Sequence, residues 1–205
     1  MKIATSVSID AVCSLIAAIL MGVVGVRTSY LTIKDTIRPL LSTWLLFTTA
    51  TTLSLVTYLF SAKPRLTGNI LNVMDVLMCG AIATTIATRG RGITFSYLER
   101  LCMGSSALIL LFWIGTAQHF RANLLLQGVI TVAYLPTIAR LYSARTNPES
   151  LLMWTLTGIA TLSGLAASLV NRDKWGIIYG ARGLFFVCMI LILIVRLERK
   201  DVPQG

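Results

Sequence analysis

Charge is scarce in this sequence: 13% of its 205 residues are Asp, Glu, Lys or Arg, against about 25% in a soluble domain. It has one histidine, four cysteines and five prolines. Each scarcity excludes something. His119 stands alone beside Arg121 in a polar break, so neither a histidine metal site nor a Ser-His-Asp set can be assembled. Cys13, Cys79, Cys102 and Cys188 lie singly inside apolar runs without CxxC spacing. They read as small buried hydrophobes and not as a disulfide or metal framework. The sequence contains no phosphate-binding glycine loop, no HExxH, and no lysine within an apolar run to carry a retinal Schiff base. The reading is therefore of a non-enzyme with no cofactor and no metal.

What the chain has in quantity is apolar length. Hydrophobic residues make up 56% of it, and the mean hydropathy is +0.79. The few charges gather in short clusters separated by apolar runs of about 18–24 residues, the length a helix needs to cross the hydrocarbon of a bilayer. Seven spans follow: 7–26, 40–61, 67–88, 101–117, 122–139, 150–170 and 175–195. Long continuous runs without period-2 alternation indicate helices and not barrel strands. The first run lacks a small-x-small cleavage site before Arg27 and is expected to be retained as a helix. The net charge of +10 comes from basic residues dispersed between spans, with no long tract and no RNA- or DNA-binding motif. They read as topology signals and lipid-headgroup anchors, which excludes nucleic acid as a partner.

Counting Lys and Arg on the two sides gives an orientation. One side holds eleven (Arg27, Lys34, Arg38, Arg89, Arg91, Arg100, Arg140, Arg145, Arg196, Arg199, Lys200) and the other six (Lys2, Lys63, Arg65, Arg121, Arg172, Lys174). The bias places the N-terminus outside and the C-terminus in the cytoplasm, with the cell membrane as the expected location.

Two loops are alike. Thr36-Ile-Arg-Pro-Leu-Leu-Ser-Thr-Trp44 enters the second span and Thr146-Asn-Pro-Glu-Ser-Leu-Leu-Met-Trp154 the sixth, offset by 110 residues. The offset maps the first three spans onto the last three and leaves the fourth as a connector. A single connecting crossing gives both units the same orientation, so they are parallel repeats; chance is the alternative, since Thr, Pro and Trp are common at span entrances. The expected fold is an all-α membrane protein, seven transmembrane helices in a 3+1+3 arrangement. Its first bundle covers 1–90, its linker helix 91–120 and its second bundle 121–205.

The stretch Tyr134-Leu-Pro136-Thr-Ile-Ala-Arg140, followed by Thr146-Asn-Pro-Glu-Ser150 and Trp154, resembles the PQ-loop pattern of the SWEET sugar transporters. The layout is also similar to that of the PnuC-type vitamin transporters. The likeness is best over 120–196. Thr137 stands where the motif has Gln, and Val26 occupies the proline position of the first unit. The resemblance implies a transporter or facilitator of a sugar- or vitamin-like solute, with Pro136 as a hinge for rocking between open states. Read by itself, Pro136 equally well ends the fifth span.

Asp75 and Arg182 are the charges deepest within spans, each about 12–15 Å along its helix. An ionised group there costs about 2.5–3.5 kcal/mol on insertion scales and normally faces a bundle interior or wet cavity. The two are expected either to pair or to line a polar cavity where Arg182 contacts an anionic or hydroxylated solute; a packing cluster is the alternative. Asn72, one turn before Asp75, with Gln127 and Tyr179, completes the candidate substrate-binding set. Trp44, Trp113, Trp154 and Trp175 read as interfacial anchors. The expected partners are the lipid bilayer and a small polar solute, with a homo-oligomer left open. The rival function is a membrane scaffold, sensor or assembly protein on the same fold.

Overall fold

A computed structural model describes residues 8–37, 39, 41–61, 63–89, 95–144, 147 and 149–200; of Pro136 and Lys200 only the helical backbone is described. Lys2, Arg38, Arg91, Arg145, Thr146 and Pro148, used above for topology or the repeat, lie outside the described residues. Among the described residues the chain is helical, with no strand. The helices are α1 (Ile9–Ile33), α2 (Leu41–Leu59), α3 (Ile70–Thr88), α4 (Tyr97–Thr116), α5 (His119–Ser143), α6 (Leu151–Val170) and α7 (Lys174–Lys200). A 3-10 turn, Leu66–Asn69, leads into α3. With that turn counted in α3, six of the seven are long and apolar enough to cross a membrane; α2 is not among the six. The reason lies in composition: eight of its 19 residues are Ser or Thr. Several of those hydroxyls are satisfied within the helix. Thr48 donates to the Trp44 carbonyl at 2.7 Å and Thr51 to that of Phe47 at 2.8 Å, which lets a hydroxyl-rich helix sit among apolar neighbours.

Helix ends follow local chemistry. Ser96 and Glu99 form a reciprocal capping box at the start of α4. Asp173 opens α7 by accepting from the backbone amides of Trp175 and Gly176 at 3.0 and 3.2 Å. Asp35, Ala117 and Arg172 take the left-handed conformation just past the ends of α1, α4 and α6. Three helices run further than their charges predict. α1 continues beyond Arg27 to Ile33, α5 through Pro136 and Arg140 to Ser143, and α7 past Arg196. Long basic side chains at a helix end can reach the headgroups while the backbone continues, so a charge cluster marks the membrane surface better than it marks the helix terminus. The end of α5 therefore is not set by Pro136.

Packing gives each helix a place. α3 lies between α1 and α2, and α7 between α5 and α6. α1 packs on α6 and α2 on α5, while α3 meets α7 at the centre; α4 lies against α5 and α2. Apolar side chains from α1, α2, α3, α4, α5 and α7 share one core around Leu46, Ala50, Leu71, Ile130 and Tyr179. A second cluster, Leu41, Ile82, Ala83 and Ile86, belongs to α2 and α3 alone. A third, Leu141, Ile190, Ile194 and Leu197, draws only on α5, α6 and α7 and their flanks. Large apolar residues on the outer faces remain exposed, among them Leu15, Ile19, Leu108, Leu111 and Phe185, as lipid-facing helices require. Cys188 also lies on an exposed face and Cys13 is half-buried; only Cys79 and Cys102 are buried. The expectation of four buried cysteines is corrected accordingly: an apolar run in lipid has an outward face as well as an inward one.

Candidate functional site

The centre of the site lies where α3 meets α7. Asp75 is half-buried on α3, and the Tyr179 hydroxyl, 3% exposed on α7, donates to its Oδ2 at 2.5 Å. Arg182 follows Tyr179 by three residues, so both lie on one face of α7. Its guanidinium sits over the Tyr179 ring, 4.7 Å from the centroid, a cation–π contact. Arg182 Nε and Nη1 are buried and have no hydrogen-bond partner. Among the described residues no ion pair joins Asp75 to Arg182; Tyr179 contacts both. Tyr134 of α5 lies beside this group, stacked on Phe186 at 5.0 Å and edge-on to Phe47 of α2 at 5.3 Å.

Asn72 and Gln127 belong to a second polar group, built around Ser54 of α2. Ser54 Oγ accepts from Asn123 Nδ2 and Gln127 Nε2, both at 3.0 Å. A hydroxyl with two acceptor positions filled has one proton left to give. The Asn72 amide is therefore oriented with its oxygen toward Ser54, accepting that proton at 3.0 Å, and its nitrogen donating to the Thr51 carbonyl at 3.0 Å. Asn123 Nδ2 also reaches the Ser54 carbonyl and Thr57 Oγ1, at 2.7 and 3.0 Å. Asn72 is 0% exposed. This network ties α2, α3 and α5 together, leaving Gln127 Oε1 as its one buried atom without a partner. Asn72 and Asp75, one turn apart on α3, are the step between the two groups.

Sequence reasoning missed Ser54 and Asn123. The signal available was the i, i+4 spacing of Asn123 and Gln127, which places two amides on one face of α5, and Ser54 among the hydroxyls of α2. It also missed Glu99, which is 5% exposed and more than a boundary charge. Its Oε1 accepts from Ser42 and Thr43 of α2 at 2.9 and 2.6 Å, and its Oε2 from the Ser96 amide at 2.8 Å. A carboxylate so supplied with donors needs no cation; it fastens α4 to the start of α2.

The end of the molecule where α3 and α7 begin is drawn tightly together. Ser168 donates to the Gly68 carbonyl at 2.6 Å and Ser14 to that of Thr67 at 3.0 Å. Tyr58 donates to Asp173 at 2.6 Å and also accepts from the Arg65 amide. A Cβ on Gly176 would fall on the Gly68 carbonyl oxygen, and one on Gly164 would fall on the Leu71 side chain. At the opposite end Arg89 donates to the Ile33 carbonyl at 2.8 Å, Arg140 pairs with Glu149, and Asn147 donates to Glu198 at 3.1 Å, beside the Glu99 bonds to Ser42 and Thr43. Near the tight end an open hollow of about 460 Å³ is lined by Ser61, Gln118, His119, Phe120, Arg121 and Trp175. His119 Nδ1 accepts there from the Trp113 indole at 2.7 Å.

Compared with family models, curated proteins and solved structures, the chain matches none.

Proposed function

We propose that this protein is a transporter or facilitator of a small polar solute, built as two parallel three-helix bundles joined by α4. Its α2 completes seven crossings. The observation that carries the reading is the Asp75–Tyr179–Arg182 group at the meeting of α3 and α7, with two buried guanidinium donors unmet. Replacing buried charged groups with apolar side chains of similar volume is often neutral or stabilising, so packing alone does not call for this group.

The repeat is supported by the spacing of the helices. α1 and α2 begin at residues 9 and 41, α5 and α6 at 119 and 151, an offset of 110 in both pairs. α1 and α5 are both 25 residues long. The packing repeats as well: the last helix of each unit lies between the other two, and α1 on α6 is matched by α5 on α2. An axis along the membrane normal would then pass between α3 and α7, beside Asp75 and Arg182.

The solute path runs between α3 and α7. In the conformation described it is shut at the end bound by Gly68, Gly176, Tyr58 and Asp173, which the count of basic residues makes the outer side. At the cytoplasmic end the two apolar clusters stay within their own bundles; separation there would part α1 from α6 and α2 from α5. Rocking of the bundles alternates access, with Pro136 as the hinge within a continuous α5. Asn72 and Gln127 support the site from the Ser54 network. That network, largely satisfied, also favours the rival reading of a membrane scaffold.

Osmotic re-swelling separates the two. Liposomes holding the purified protein are shifted into hyperosmotic glucose, nicotinamide, serine, lactate or ethanolamine. A transporter speeds re-swelling for at least one solute over protein-free liposomes, and Arg182→Gln abolishes the gain. No gain for any solute, from protein that is folded and monodisperse, leaves the scaffold reading standing.

A further inference from the structure

Resting on the transport reading, we infer that the solute is zwitterionic, with an ammonium that meets Asp75 and a carboxylate that meets Arg182, as in a small α-amino acid. The inference comes from what each charge lacks. Tyr179 fills one oxygen of the Asp75 carboxylate, Oδ2. No hydrogen bond from a described residue reaches Oδ1. On the other side, Arg182 offers Nε and Nη1 with no acceptor. The face of the Tyr179 ring contacts the guanidinium, but a ring face takes no N–H in the plane of the guanidinium as a carboxylate does. One acceptor and two donors thus remain, of opposite charge, held on facing helices with a tyrosine contacting both.

Charge balance then chooses among solutes. Asp75 and Arg182 together sum to zero, and uncompensated charge at mid-membrane is costly. A carboxylate alone would meet Arg182 but leave the loaded site with an excess negative charge beside Asp75. An amine alone would do the reverse. A sugar would keep the site neutral while offering each ion only hydroxyl dipoles. A zwitterion satisfies both ions with charge-assisted hydrogen bonds, roughly twice the strength of neutral ones, and leaves the net charge unchanged.

The test is uptake of radiolabelled serine, alanine, lactate, ethanolamine and glucose into liposomes containing the full chain, for the wild type, Asp75→Asn and Arg182→Gln. Arg182→Lys and a thermal melt of each variant guard against loss of fold. Serine and alanine are expected to enter at least tenfold faster than the other three. Asp75→Asn and Arg182→Gln each lower serine uptake tenfold or more. The first shifts relative preference toward lactate and the second toward ethanolamine, while Arg182→Lys retains serine over glucose. Uptake of glucose, lactate or ethanolamine ahead of serine overturns the zwitterion and leaves transport intact. Equal responses of all five solutes to both substitutions overturn it too. Absence of any uptake removes the transport reading and the inference with it.

Discussion

Gly176→Ala is the sharpest structural test of how the start of α7 is joined to the turn before α3. The added Cβ would land on the Gly68 carbonyl oxygen and lie 2.5 Å from Ser168 Oγ. A carbonyl cannot rotate aside as a side chain can, so the start of α7 must move away from the turn before α3 by roughly 1 Å to restore contact distance. Overpacking of that kind costs about 1–3 kcal/mol. The added Cβ also crowds Ser168 Oγ out of its hydrogen bond to Gly68, and the shift stretches that from Tyr58 to Asp173, each contributing about 1 kcal/mol. The total is about 3–5 kcal/mol, a large part of the stability of an ordinary domain. Gly128→Ala is the control: nothing lies within 4 Å of its Cβ, and removing a mid-helix glycine stabilises by about 0.5–1 kcal/mol. Thermal unfolding of both variants in detergent, followed by size-exclusion recovery after heating, reads the difference. A Gly176→Ala protein as stable as the wild type would show that α7 and the turn before α3 are not in contact at this point.

Other substitutions probe the remaining joints. Ser54→Ala removes the oxygen shared by Asn72, Asn123 and Gln127; stranding buried amides should cost about 1–3 kcal/mol, read as a lowered melting temperature, and an unchanged melt would contradict the network. Glu99→Ala loses the capping box and three accepted bonds. It should destabilise by about 2 kcal/mol, read in the same melt, and an unchanged melting temperature would count against α4 being fastened to α2. Ala117→Gly relieves a left-handed alanine at φ 50° and should raise stability by about 1 kcal/mol, measurable in the same melt; a lowered melting temperature would oppose that reading of the cap.

Much of the architecture was legible because a bilayer imposes a length. Each apolar run between charge clusters became a helix. Helix ends were less legible, since Arg27, Arg140 and Arg196 stand on helices that continue past them. Asp75, Tyr179 and Arg182 could be picked out because charge and a phenol within apolar runs demand an explanation. How they meet could not: spacing along α3 and α7 leaves their mutual rotation open, and Tyr179 contacts both charges where a direct pair was one expectation. Ser54 and Asn123 escaped because single hydroxyls and amides are common in helices, and their significance comes only from convergence across α2, α3 and α5.

The central claim is that water and solute reach the Asp75–Tyr179–Arg182 group between α3 and α7. Cys79 lies one turn beyond Asp75 on the same helix face and is 3% exposed. With Cys13, Cys102 and Cys188 replaced by Ala, a membrane-impermeant maleimide applied to each side of protein-bearing liposomes measures access to it directly. The account predicts time-dependent labelling of Cys79 in folded protein from at least one side, slowed by the transported solute. Labelling only after denaturation, from either side and at any time, would contradict it.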